Sequence, residues 1–253
     1  MFDKFITKDK IIKLTNVNST NVFAVELLKK KDTFEGTIIW ALKQTEGKGQ
    51  KGNSWESEDG KNLTFTLILH PLSVEPSQQF MINKAVSLGI IDFLKTKIEE
   101  SQIKIKWPND IYVNKSKIAG ILIENEILGA YLQSTIVGIG LNVNQISFSE
   151  KILNPVSLQL ITGKEMDIEI ILTELLNKIE SRILDLYNNE IELINYDYLN
   201  SLLYYNVYKN YLIKNIQIQA MIIGLSEFGQ LILKTKEEKL IKCDFKEIVF
   251  QHD

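Results

Sequence analysis

The segment Gly47-Lys48-Gly49-Gln50-Lys51-Gly52 is the plainest offer of chemistry in this chain. Its three glycines let backbone N–H groups approach an anion, and its two lysines add positive charge. The string fits GxGxxG, the dinucleotide fingerprint. Extended to Asn53-Ser54, it falls one lysine short of the phosphate loop GxxxxGK[ST]. Both motifs need a helix directly after the loop, because the helix N-terminus holds the phosphate. Here Trp55, Glu56, Asp59 and Gly60 lead into a strand instead, so both templates fail. An anion cradle and a lysine-bearing hairpin turn both stay open on this segment alone.

A second constellation is Lys106-Trp107-Pro108-Asn109-Asp110, a strand end running into a rigid turn. Seven residues on, Lys117-Ile118-Ala119-Gly120-Ile121-Leu122-Ile123-Glu124 reads as the return strand of a hairpin, with Lys106 and Lys117 near opposite ends. Lysine in an apolar strand is costly to bury without an anion, which hints at a bound phosphate or carboxylate. Two solvent-facing lysines would give the same pattern. The third cluster is Val137-Gly138-Ile139-Gly140-Leu141-Asn142-Val143-Asn144. Alternating glycines leave one strand face bare, against which a ligand or another protein element can lie flat.

Other chemistries are scarcer. His70 and His252 are the only histidines, so neither a Ser-His-Asp triad nor a histidine-rich metal site is comfortable. Both read as structural or solvent-facing. A lone Cys243 excludes an internal disulfide, and no CxxC pair offers a zinc site. Net charge is -3, against the basic surplus usual for proteins that work on a long nucleic acid backbone. Of the 29 basic residues only Arg182 is arginine, so a bidentate guanidinium fork is almost unavailable. Met1 to Lys13 lacks the apolar core of a signal peptide, and no apolar run is long enough to span a membrane; the chain reads as cytoplasmic.

Elements must position these groups. Asn18 to Asn21 are cap-type residues before an apolar stripe that predicts a helix to about Lys31. Thr37–Leu42 and Asn62–Leu69 read as strands flanking the glycine loop. Gln79 to Ile98 carries a helical stripe at Ala85, Leu88, Ile91, Leu94 and Ile98. Strands follow at Ile103–Trp107, Lys117–Glu124 and Thr135–Leu141. The longest helical pattern runs from Asp167 to Asn188, with Ile171, Leu175, Ile179, Ile183 and Leu186 on one stripe. After Tyr204 short strands separated by turn signals predict a small β barrel. The expected architecture is α+β: a mixed sheet with flanking helices over residues 1–200, then an SH3-like barrel over 201–253.

QTxGKGQKGxxW, KWPND, KIAGILIE and GIGLNVN, in that order and spacing, resemble the biotin–protein ligase family. The resemblance implies two half-reactions: biotin and ATP give biotinyl-5'-AMP, and a lysine of a biotin carboxyl carrier domain then takes the biotinyl group. It implies that Ser19, Thr20, Asn21 and Gln44 contact the ureido ring. Gly47, Lys48, Gly49 and Gln50 would form a loop over biotin and the adenylate, with Lys51 also binding ATP and Trp55 against adenine. Lys117 would be the main electrostatic catalyst, touching biotin's carboxylate and the α-phosphate, and Lys106 its pyrophosphate-side partner. Gly120 and Gly138 would give backbone approach to biotin, and Asn109, Asp110 and Asn142 polar support for nucleotide and metal. Mg²⁺ would be carried mainly by ATP phosphates and water.

Relatives usually show GRGRxGRxW where this chain has Gly47 to Trp55, so the arginine associated with retaining the adenylate is Gln50 here. Many also carry an N-terminal helix-turn-helix; a first helix near residue 19 leaves no room for one, so no DNA binding is expected. Monomer and weak homodimer are both compatible with the resemblance. Rival readings are a lipoate–protein ligase or octanoyl transferase of the same architecture, and a non-catalytic carrier-binding module.

Overall fold

An apolar run with little polar alternation, such as Thr37–Leu42, makes a stable strand only when both sheet faces are covered. The computed structural model covers both, and it describes residues 4–31, 33–50, 52–245 and 247–250; Lys51 and His252 lie outside these. Strand β1 (Ile11–Val17) leads through helix α1 (Thr20–Lys29) to β2 (Thr37–Gln44), which pairs parallel with β1. All other pairings in this sheet are antiparallel, so it is mixed: β3 (Leu63–Leu69), β4 (Ile103–Lys106), β5 (Asp110–Val113), β6 (Ser116–Leu128) and β7 (Tyr131–Leu141) complete the order β1-β2-β3-β7-β6-β5-β4.

One face packs against α2 (Phe80–Leu94), α4 (Ile168–Tyr187) and α5 (Ile191–Ser201), with short α3 (Leu158–Thr162) nearby. The expected stripe on α4 is buried at all of its positions, Ile171 to Leu186. On α2, Ala85, Leu88, Ile91 and Leu94 are buried, whereas Ile98 lies past the helix end. Gly89 is where α2 meets α4, because a Cβ there would lie inside 3.0 Å of the Ile179 backbone. The opposite face is covered by α1, whose Ala24 packs on Ile39, Ile68 and Ile136.

The C-terminal part is a separate five-stranded antiparallel sheet of the expected SH3-like kind. Strands β8 (Tyr208–Ile213), β9 (Ile216–Leu225), β10 (Leu231–Thr235), β11 (Leu240–Cys243) and β12 (Ile248–Phe250) lie in the order β11-β10-β9-β8-β12. One expectation is corrected. The return strand after KWPND is β5, not the strand bearing Lys117; Lys106 pairs with Asp110, and Lys117 sits one strand further on, beside Tyr112. The stretch Asp110–Val113 is too short to announce itself between two turns. His70 is structural, its Nδ1 donating to the Gln133 carbonyl at 3.1 Å. Among the described residues no helix is long and apolar enough to cross a membrane.

Arg182 on α4 ties three helices together. Its Nε and Nη2 donate to Asp92 of α2, at 2.6 and 3.3 Å, and Nη1 donates to Asp197 of α5 at 2.8 Å. This is the planar fork that lysine cannot supply. Lys84 on α2 is the contrasting case. Its amine donates to Asn195 Oδ1 at 2.6 Å and lies over the Phe80 and Tyr198 rings. Burial pulls it from an ordinary 10.5 down to about 8. Between those two values the unfolded chain holds a proton that the folded chain releases, so this group's contribution to stability rises with pH. Lys84→Met is therefore expected to be more stable than wild type at pH 7, with the advantage shrinking towards pH 10.5. Paired urea denaturations across that range measure it; an advantage constant with pH would refute the burial argument.

Candidate active site

The floor of the site comes from strand register. Gly120 on β6 stands opposite Gly140 on β7, and Leu122 opposite Gly138, with Thr66 of β3 on the far side of Gly138. Side chains alternate between faces, so these positions share the face that α1 covers. The helix begins at Thr20, and its contacts there are with Ile39, Ile68 and Ile136. Around its N-terminus the paired glycines leave the sheet backbone without side chains of its own, so that groups from other elements can lie directly on it. The pocket on that strip is lined by residues from α1, the β2–β3 loop, β6 and β7.

Its polar end lies at the N-terminus of α1. Ser19, Thr20 and Asn21 are all buried there. Gln44 closes the helix end, its Oε1 accepting from the Thr20 backbone N–H at 2.8 Å and from its hydroxyl at 3.1 Å. Asn21 is held at both ends of its amide. Its Nδ2 donates to Glu124 at 2.8 Å, and its Oδ1 accepts from the Thr66 hydroxyl at 2.7 Å. A Cβ at Gly138 would collide with that Oδ1, so only glycine lets the amide lie on the sheet.

The glycine loop folds over the other end as a small hairpin. Trp55 N–H donates to the Gly47 carbonyl at 2.9 Å, Gly49 N–H to Asn53 at 3.0 Å, and Lys48 bridges Ser54. Strand, hairpin and strand therefore replace the strand-to-helix turn of a phosphate loop. Trp55 lies with its indole on Gly140 and Gly120; a Cβ at Gly140 would stand well inside 3.0 Å of the ring. The indole Nε1 is buried and has no acceptor among the described residues. Lys117 Nζ sits 5.7 Å over this ring and pairs with Asp110 at 2.6 Å. The strand lysine thus has an anion within the fold, one that also holds its amine at the pocket. Asn109 donates its side-chain amide to the Ile121 carbonyl, and the Ile121 N–H returns a bond to Asn109 at 3.0 Å.

Not every candidate reaches this lining. Ser19, Thr20, Asn21, Gln44, Lys48, Gly49, Gln50, Trp55, Asn109, Asp110, Lys117, Gly120 and Gly138 are gathered around it. Gly47 forms the base of the loop, where a Cβ would strike the Trp55 carbonyl. Lys106 lies outside the lining, bonded to the Tyr112 hydroxyl at 3.3 Å and 5.7 Å over Phe250 of the C-terminal sheet. Burial lowers its pKa, with Lys117 adding to the shift and Asp110 opposing it. Asn142 is turned away, its side chain donating to the Val156 carbonyl at 3.0 Å. The C-terminal sheet grips the KWPND turn directly. Trp107 Nε1 donates to the Gly229 carbonyl at 2.9 Å, and its ring stacks on Phe245 at 5.2 Å.

Residues 13–142 match the family described as Biotin/lipoate A/B protein ligase. The chain is 30% identical over 238 residues to the bifunctional ligase/repressor BirA of Bacillus spizizenii, covering 91% of this chain and 71% of that protein. The chain belongs to this ligase family. It is also 32% identical to the biotin–[acetyl-CoA-carboxylase] ligase of Paracoccus denitrificans, over 62% of this chain and 65% of that one. Among solved structures it is similar to the biotin protein ligase of Aquifex aeolicus in complex with biotin and ATP. That match has 28% identity and a TM-score of 0.75, and covers 96% of this chain and 99% of the other.

The family match ends at Asn142, so it takes in the pocket and leaves out the barrel. Lining residues beyond the sequence candidates are Asn53 and Ser54 in the loop and Phe65, Ile121, Leu122, Ile139 and Gly140 in the strands; of these only Phe65 lies outside every motif. The strand residues follow from pairing once the glycines are placed in register. Nothing in the chain's own order announces that Thr66 and Glu124 meet at Asn21, because those contacts span 45 and 103 positions.

The glycine floor makes a direct prediction. Gly140→Ala should push the Trp55 indole off the sheet, shifting that tryptophan's emission to the red while Trp40 and Trp107 stay in place. Emission spectra of the Gly140→Ala and Gly140→Ala/Trp55→Phe proteins isolate the change; a spectrum identical to wild type would show that the indole does not rest on this glycine.

Proposed function

We propose that this chain activates biotin with ATP and passes the biotinyl group to a lysine of a carrier domain, such as that of acetyl-CoA carboxylase. The observation that carries the reading is the Lys117 amine, held by Asp110 beside the Gly120–Gly140 floor and 5.7 Å over the Trp55 ring. The glycine strip runs from a neutral hydrogen-bonding end to a cationic end and is covered by the Trp55 indole here; with the indole swung aside it suits a bicyclic urea whose tail ends in a carboxylate. In the first step a biotin carboxylate oxygen attacks the α-phosphorus, the bond to the β-phosphate oxygen breaks, and pyrophosphate leaves. In the second, an acceptor amine attacks the anhydride carbonyl, AMP departs, and the amine loses a proton. Both nucleophiles belong to substrates, so positioning and charge neutralisation are what the protein must supply.

Lys117 neutralises charge developing between carboxylate and α-phosphate, and Asp110 keeps its amine on station. Lys48 and the backbone N–H groups of the glycine loop face the phosphates. Mg²⁺ takes one or two carboxylates plus substrate phosphates, which suits a lining whose one carboxylate is Asp110. Asp110 would hold it, and the ion would neutralise the phosphate oxygens. Lys106, on the barrel side of the KWPND turn, is assigned to the departing pyrophosphate. Residues 1–200 form the catalytic unit in this reading, and 201–253 the barrel that braces the turn.

Lys117→Ala should lower biotin-dependent ATP–pyrophosphate exchange by about 10²–10³-fold, the scale of one lost transition-state charge contact. Exchange that survives the substitution would remove Lys117 from the mechanism. Titration of the wild-type protein with biotin and with lipoate addresses the family's other branch; binding of lipoate without biotin would overturn the biotin reading. Gln50 bears on retention of the intermediate. With a neutral side chain there, loop backbone and Lys117 carry the adenylate, so Gln50→Arg should slow biotinyl-AMP release. A rapid-dilution measurement of that off-rate tests it, and an unchanged or faster rate counts against it.

A further inference from the structure

Asn21 is the buried amide at the polar end of the pocket, and which way round it points decides what it offers a ligand. Its two ends are a donor NH₂ and an acceptor oxygen of nearly equal size. The neighbour at one end, the Thr66 hydroxyl, can donate or accept and so fixes nothing. The neighbour at the other end is Glu124, whose ionised carboxylate can only accept. With Nδ2 drawn to Glu124 at 2.8 Å, Oδ1 must face Thr66 and the sheet at Gly138. That oxygen keeps a second lone pair after taking the threonine bond. Reversal of the amide would set an acceptor against an acceptor at Glu124, and the buried Asn21 would lose its bond there.

We propose that Glu124 is a positioning residue for substrate selection: by pinning the Asn21 amide it makes the pocket present an acceptor, which an N–H-bearing head group satisfies and a dithiolane does not. This rests on the ligase reading and deepens it, since a cyclic urea carries two N–H donors and the ring of lipoate carries none. Glu124 itself lies outside the pocket lining, on an exposed position of β6, and acts only through Asn21.

The test uses the full chain and four proteins. Glu124→Lys replaces an obligate acceptor with an obligate donor and should turn the amide round. Glu124→Gln keeps an acceptor oxygen, and Glu124→Leu removes both. Calorimetric titration with biotin and with lipoate, together with the KM for ATP, separates the outcomes. Biotin affinity is expected to fall by about tenfold or more in Glu124→Lys and to stay within about threefold of wild type in Glu124→Gln, the scale of one buried hydrogen bond made or unmade. Glu124→Leu should fall between them. The KM for ATP should be unchanged in all three, and lipoate binding should not weaken in Glu124→Lys. Thermal melts confirm that the exposed substitutions leave the fold intact, and Glu124→Leu carries the test alone should the lysine variant misfold.

Wild-type biotin affinity in Glu124→Lys overturns the proposal. So does an equal loss in Glu124→Gln and Glu124→Lys, or a parallel loss of biotin and ATP, each of which marks a general structural role. Wild-type protein that fails to bind biotin at all overturns the ligase reading first, and this assignment with it.

Discussion

The register that sets Gly120 against Gly140 is the constraint on which the rest of the site depends. A one-residue slip of β6 along β7 would carry every side chain to the opposite face, bury isoleucines where the indole lies and point Lys117 into the helix layer. The register is held from both flanks. On one side, β3 pairs with β7 along its whole length, with Thr66 beside Gly138; on the other, β5 meets β6 through Asp110 and Gly120. Burial of the odd-numbered partners, Ile121, Val137, Ile139 and Leu141, then makes the slip expensive. The catalytic face is cheap to keep bare because its reverse is packed.

Over that floor, the groups differ in how firmly they are held. Asn21 is tied at both ends, Lys117 at one, and Lys48 through the backbone bridge to Ser54. The C-terminal sheet adds a further brace: Trp107 is clamped between the Gly229 carbonyl and Phe245, which sets the turn carrying Asn109 and Asp110. The barrel is therefore part of the positioning apparatus for the Asp110–Lys117 pair, not a passenger joined by a linker.

Much of this was legible in the chain itself. The glycine-bearing strands and the two long helical stripes are local patterns with local causes, and they stand where their periodicity places them, save Ile98 past the end of α2. What escaped was non-local or too short. Strand β5 has four residues between two turns, so Lys117 was read onto the wrong strand of the meander. The structure also lays the Trp55 indole on Gly140, a contact between residues 85 positions apart that a glycine face permits without specifying. Asn142 carries the polar character of a ligand contact, but its partner is a carbonyl fourteen residues on. Glu124 looked like the polar end of an apolar strand; its role exists only because α1 sets Asn21 above it.

The solitary guanidinium has a practical corollary. Arg182 stands among Asp92, Asp185 and Asp197 in the helix layer, whereas the cations at the pocket are primary amines. Covalent labelling can therefore address architecture and chemistry separately. A dicarbonyl reagent of the kind that marks arginine has a single target here, and it loosens a junction between three helices without touching the catalytic face. An acylating reagent meets the lysines instead, Lys48 and Lys117 among them, and leaves the guanidinium clasp unmodified.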